Sequence, residues 1–225
     1  MLSWDWLAQY WSYFLTGAIN TIIISLIVVG CGFVLAVLVA LAKMSKNSIV
    51  SAFASIYVEV LRGTPMLLQI LIAYVLIRVE APFIKVGLYS LDLEVLIPGL
   101  VALILNSSAY VSEAIRAGIQ SVVAGQIEAA HSLGFTGSQT FSQVIFPQAM
   151  RNVLPALGNE FVTIIKDSSL LSVIGVFELM HNTEIIRANT FMPLPPLLVA
   201  GMIYFILTFI ASRLVKTLEH HFAWG

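Results

Sequence analysis

Residues 16–42 include no charged side chain, and as a single helix they would be about 40 Å long. A rod of that length, apolar on every side, is hard to bury in a chain of 225 residues. It suits a bilayer, whose hydrocarbon core is crossed by about 20 apolar residues, with length left over for tilt. Composition agrees, because 59% hydrophobic and 10% charged residues, with mean hydropathy +0.96, leave too little charge to cover a water-facing surface. The sequence is therefore read as an integral membrane protein. A formal net charge of −1 gives no general attraction to nucleic acid, so no nucleic-acid partner is expected. Cys31 is the only cysteine, which excludes a disulfide within the chain and predicts a small buried hydrophobe.

Four further runs reach similar lengths. They predict an all-α fold with about five transmembrane helices, over 16–42, 50–77, 95–117, 153–179 and 193–215, in one domain spanning 1–225. Residues 1–15 carry an acid and no base, unlike a cleavable signal peptide, so the first span is expected to remain. Trp4, Trp6, Tyr10, Trp11 and Tyr13 mark this segment as an interfacial anchor in the headgroup layer. Pro193, Pro195 and Pro196 open the last span, where a missing backbone donor does no harm.

Basic residues set the orientation. With the N-terminus outside, Lys43, Lys46, Arg116, Arg151, Arg213 and Lys216 flank inner loops or the tail. Arg78, Lys85 and Arg187 fall outside, among Glu80, Asp92, Glu94 and Glu184. This favours N-out/C-in and puts residues 118–150 in the cytoplasm. No internal repeat is visible, which argues against the inverted-repeat carriers, and five helices are few to enclose a polar path. A second subunit, identical or related, is expected to complete it.

The inner loop has a layout of its own. Residues 127–133 read as a short helix ended by Gly134, which tolerates the left-handed C-cap conformation. Thr136 and Gly137 restart the chain, and 138–145 place Phe141, Val144 and Ile145 on one face before Pro147 stops the ladder. Ala129 and Ala130 leave room for a partner to approach; an ordinary loop packed on its own bundle is the plainer alternative. His131 reads as a surface residue, and His220 and His221 as part of a solvated tail.

Residues 128–147, EAAHSLGFTGSQTFSQVIFP, closely resemble the EAA loop of bacterial ABC importer permeases, with Glu128, Ala129, Ala130, Gly134 and Phe141 in the segment that meets the ATPase. Residues 109–134, AYVSEAIRAGIQSVVAGQIEAAHSLG, look like the polar amino-acid importers of the histidine, glutamine and arginine group. EVLRGTP at 59–65 and KDSSLLSVIGVFEL at 166–179 resemble segments of that group in the same order. Val144 and Phe146 stand where the motif more often has isoleucine and leucine, with apolar character kept. The resemblance implies the type I permease fold with a cytoplasmic coupling helix, in a bacterial inner membrane. It implies a second permease subunit, a cytoplasmic ABC ATPase dimer and an external amino-acid-binding protein.

The same segments hold charges that a bilayer penalises by roughly 2.5 to 3.5 kcal/mol each when unpaired. Glu59 with Arg62, and Glu113 with Arg116, are three apart and can pair along one helix. Lys166 and Asp167 are adjacent, point about 100° apart and must seek other partners. A zwitterionic amino acid requires one fixed cation and one fixed anion, so Asp167 is expected to receive its ammonium and Arg62 or Lys166 its carboxylate. Asn106, Ser107, Tyr110, Glu113, Ser168 and Ser169 could assist. The rival reading has Lys166 and Asp167 holding helices together. No Walker-type glycine loop and no metal-ligand spacing are present, so ATP and Mg are expected in the partner ATPase, with no cofactor, metal or catalytic residue in this chain. The alternative function is an ion- or proton-coupled amino-acid carrier using Glu113 or Asp167.

Overall fold

The computed structural model describes residues 5–86 and 89–223. Trp4 of the expected anchor lies outside the described residues, as do the side chains of Lys85, His220 and His221. The chain is mostly helical: α1 (Asp5–Lys43), α2 (Ser48–Gly63), α3 (Met66–Leu76), a hairpin of β1 (Phe83–Val86) and β2 (Tyr89–Asp92), α4 (Leu93–Gln120), α5 (Ala124–Ser132), α6 (Gly137–Thr140), α7 (Phe146–Asp167), α8 (Leu179–Thr190) and α9 (Pro195–Ala223). The hairpin, antiparallel with Phe83 opposite Asp92, is an addition to the all-helical expectation.

α4 is the centre of the bundle and packs against α1, α2, α3 and α7. α1 turns a stripe of Thr21, Ser25, Val28, Gly32, Ala36 and Ala40 inward, and these small side chains let the helices approach closely. Cys31 falls off that stripe and is exposed, which corrects the expectation of burial. In a helix apolar all round, hydrophobicity does not tell which face packs. Three apolar clusters stack along the bundle, around Leu103 and Leu171 in the middle, Ala36 and Val153 at one end, and Phe14 and Ile186 at the other. Trp6 joins the last and is buried against α8 and α9, while Trp11 and Tyr13 remain exposed.

α1, α4 and α9 are each long and apolar enough to cross a membrane. The expected span over 50–77 is instead two helices, bent by 111° between α2 and α3. Pro65 is the cause: it forces Thr64 into an extended conformation and has no N–H to continue the ladder. The expected span over 153–179 starts earlier, at Phe146, and is α-helical only to Asp167. It tightens into a 3₁₀ segment, Ser168–Ile174, and stops at Gly175 with φ 87°. α7 keeps polar residues along its length and packs against α1, α4 and α9. The hairpin and the α5–α6 connection lie beyond opposite ends of α4 and so mark the two ends of the bundle.

Candidate functional site

The break between α2 and α3 gathers most of the polar chemistry. In an uninterrupted helix Leu61 O would accept from the amide of residue 65, which as proline has none. Two side-chain amides fill the gap: Gln69 Nε2 at 2.8 Å and Asn106 Nδ2 at 3.1 Å. Gln69 Nε2 also donates to Thr64 O at 3.1 Å and Thr64 Oγ1 at 2.8 Å, and its Oε1 accepts from Asn106 Nδ2 at 3.0 Å. Thr64 Oγ1 in turn donates to Val60 O. One residue from this knot, Arg62 lies over the Tyr110 ring, 5.1 Å from its centroid, and both side chains are exposed. Arg62 therefore takes an aromatic platform on α4, and among the described residues it has no salt bridge to Glu59.

The other expected residues divide by position. Glu113 is held by Lys43 of α1 at 2.5 Å and by Arg116 at 2.8 Å, which realises the anticipated pair with Arg116 and adds a tie between α1 and α4. Ser107 is fully buried beside Gly32 of α1. Its Oγ has no partner within hydrogen-bond geometry among the described residues, although the Glu160 carboxylate of α7 faces it. Asp167 is half-buried, two helical turns along α7 from Glu160, and its carboxylate, which feels the charge of the neighbouring Lys166, makes no side-chain hydrogen bond or salt bridge among the described residues. Lys166 is exposed. Ser168 and Ser169 spend their hydroxyls on the backbone, at Ile165 O and Lys166 O. Arg62, Asn106 and Tyr110 thus come together, with Lys166 and Asp167 on a separate helix.

Two functional-looking residues escaped the sequence reading. Gln69 was a lone polar residue in the apolar run 66–77, and an intramembrane amide is itself a signal. Glu178 is fully buried and caps α8, accepting from Met180 N at 2.9 Å and His181 N at 2.7 Å, while Tyr204 of α9 donates to it at 2.7 Å. An acid just before a helix after a glycine turn is the pattern that points to it.

The α5–α6 connection is built by local rules. Gly134 has φ 86°, with Gly134 N bonded to His131 O and Phe135 N to Ala130 O, closing α5 as anticipated. Thr136 and Gln139 form a reciprocal capping box that starts α6. The expected stop at Pro147 does not occur. α6 widens into a π turn, Phe141–Ile145, and runs on into α7, so Pro147, which cannot donate to the preceding turn, sits directly after the wider turn. Glu128 and Ala129 are exposed, but Ala130 is 5% exposed and packs into the connection, so it offers no surface to a partner. Leu133 at 79%, Phe141 at 46% and Phe146 at 50% exposure leave an apolar patch on a polar loop.

Residues 32–223 match the family described as the binding-protein-dependent transport system inner membrane component. The chain belongs to that family. Among its relatives, the nopaline transport system permease protein NocM of Agrobacterium fabrum is 43% identical over 89% of this chain and 83% of its own length. The putative glutamine transport system permease protein GlnP of Rickettsia typhi is 36% identical over 92% and 91%. A solved structure described as an amino acid ABC transporter with histidines superposes with TM-score 0.87 at 38% identity, covering 98% of this chain and 99% of that one. The MetNI methionine ABC transporter, at 15% identity, TM-score 0.74 and coverage of 93% and 96%, shares the fold. This inner membrane component therefore has the type I ABC importer permease fold and is a permease subunit of an ABC transporter.

Proposed function

We propose that this permease carries a polar amino acid inward across a bacterial inner membrane, as a multi-pass N-out/C-in subunit. A second permease subunit, identical or related, shares the path. A cytoplasmic ATPase dimer holding ATP and Mg supplies the energy, and an external binding protein delivers the cargo. The observation that carries this reading is a cation and an anion that form no salt bridge among the described residues, each on a different helix of an apolar bundle: Arg62 on its Tyr110 platform and Asp167 on α7, with Glu59, Glu160 and Lys166 likewise outside any salt bridge. Arg62 and Asp167 are assigned to the carboxylate and the ammonium of the cargo, with Lys166 a further cation near Asp167. Asn106 has spent its Nδ2, so its free Oδ1 can only accept, which suits an ammonium or side-chain N–H. Glu113 is already neutralised by two cations and is assigned no cargo contact. The relatives named for glutamine and nopaline transport support this class of cargo. Glu128, Leu133, Phe141 and Phe146 are assigned to the face that meets the ATPase, shaped by Gly134.

Asp167→Asn tests the assignment, since it keeps the shape and removes the charge. Charged hydrogen bonds are roughly twice as strong as neutral ones. The expected outcome is a complex that assembles and hydrolyses ATP but has lost uptake. Normal transport by this variant would contradict the role in cargo binding, and failure to assemble would assign Asp167 to the fold.

A further inference from the structure

We propose that Gln69 is the positioning residue of the pathway cation: together with Asn106 it replaces the hydrogen bond that Pro65 cannot make, fixes the end of α2, and so holds Arg62 over Tyr110. The inference rests on the reading of Arg62 as the group that receives the cargo carboxylate. It begins with Leu61 O and Thr64 O, two carbonyls at a helix break within the apolar part of the bundle. Unsatisfied carbonyls are costly in apolar surroundings. Carbonyls can only accept, so the groups facing them must be N–H, and this fixes the rotation of both amides. Gln69 must point Nε2 at Leu61 and Thr64, leaving Oε1 for Asn106, which must then point Nδ2 at both Leu61 O and Gln69 Oε1. Swapping either amide would set oxygen against oxygen.

Gln69 is thereby fully engaged and only 9% exposed, so it does not touch the cargo. Its effect passes through the backbone. Asn106 and Tyr110 are four apart on the same face of α4, and their partners, Leu61 and Arg62, are consecutive. The clamp on one turn of α4 sets which residue of α2 lies on the next. Tyr57 reinforces the register a turn earlier, with its hydroxyl 2.7 Å from Ser108 Oγ and donating to Leu105 O at 3.1 Å. Losing Gln69 leaves Thr64 O and Thr64 Oγ1 without its amide and Leu61 O with Asn106 alone, and the end of α2 can then rotate Arg62 off the ring.

The test is a double-mutant cycle on the whole complex, reconstituted in proteoliposomes with its ATPase and binding protein. The readout is the initial rate of ATP-driven uptake of a labelled mixture of the protein L-amino acids. Gln69→Leu and Arg62→Ala should each lower uptake on the order of tenfold, and the double variant should fall no further, because both remove the same placed cation. Full additivity, or native uptake by Gln69→Leu beside a defective Arg62→Ala, would overturn the positioning role. Native uptake by Arg62→Ala would instead overturn the carboxylate assignment on which it rests. Should Gln69→Leu fail to assemble, Thr64→Val removes only the hydroxyl contacts, and the same cycle with Arg62→Ala must show the same lack of additivity.

Discussion

Gly134 shows how much one residue can decide in the loop proposed to face the ATPase. Its φ of 86° costs an L side chain about 1 to 2 kcal/mol, and a β-branched one more. Gly134→Val should therefore distort the end of α5, displace Leu133 and Phe141, and reduce copurification with the ATPase while the permease still inserts. A variant that copurifies and transports normally would remove this loop as the docking element. Gly134 and Thr136 were legible in the sequence because caps are local: a glycine after a short helical run and a Thr-x-x-Gln spacing contain their own explanation. Gln69 was not, because its role exists only once Pro65 has orphaned Leu61 O and α4 has brought Asn106 to the same carbonyl, 45 residues away.

At the scale of elements, the apolar run of α1 was plain from composition, but the faces on which the helices meet were not. Hydrophobic periodicity fades when lipid replaces water outside, so Cys31 was assigned to the wrong environment. Breaks were also misjudged. Pro147 looked like a stop, yet the helix runs through it after a π turn, whereas Pro65 sat inside one expected span and divides it by a bend of 111°. Close crossings carry their own prediction. A Cβ added at Gly158 of α7 would lie 2.1 Å from Val215 Cγ1 of α9, so the two helices touch there without room for a methyl group. Gly158→Ala should destabilise the α7–α9 packing by about 1 to 3 kcal/mol, read as a lowered melting temperature in detergent. Adding Val215→Ala should restore most of it; no rescue would mean that the crossing is not tight.

For the whole molecule, orientation and energy source are the two properties that matter most. In a Cys31→Ala background, cysteines at the exposed positions Gln9 and Asn47 should differ when intact cells meet an impermeant thiol reagent. The basic residues predict labelling at Gln9 alone, and labelling at Asn47 alone would reverse the topology. The family and fold make the chain a permease subunit of an ABC transporter, and the proposed path adds a polar amino acid as cargo. Uptake compared under two driving forces tests that account most directly. Proteoliposomes containing the permease and its ATPase, with the binding protein outside and labelled amino acids as cargo, should accumulate label when ATP is enclosed, and vanadate should stop it. With the permease alone and only a pH gradient, no accumulation is predicted; gradient-driven uptake without ATPase or binding protein would contradict the account.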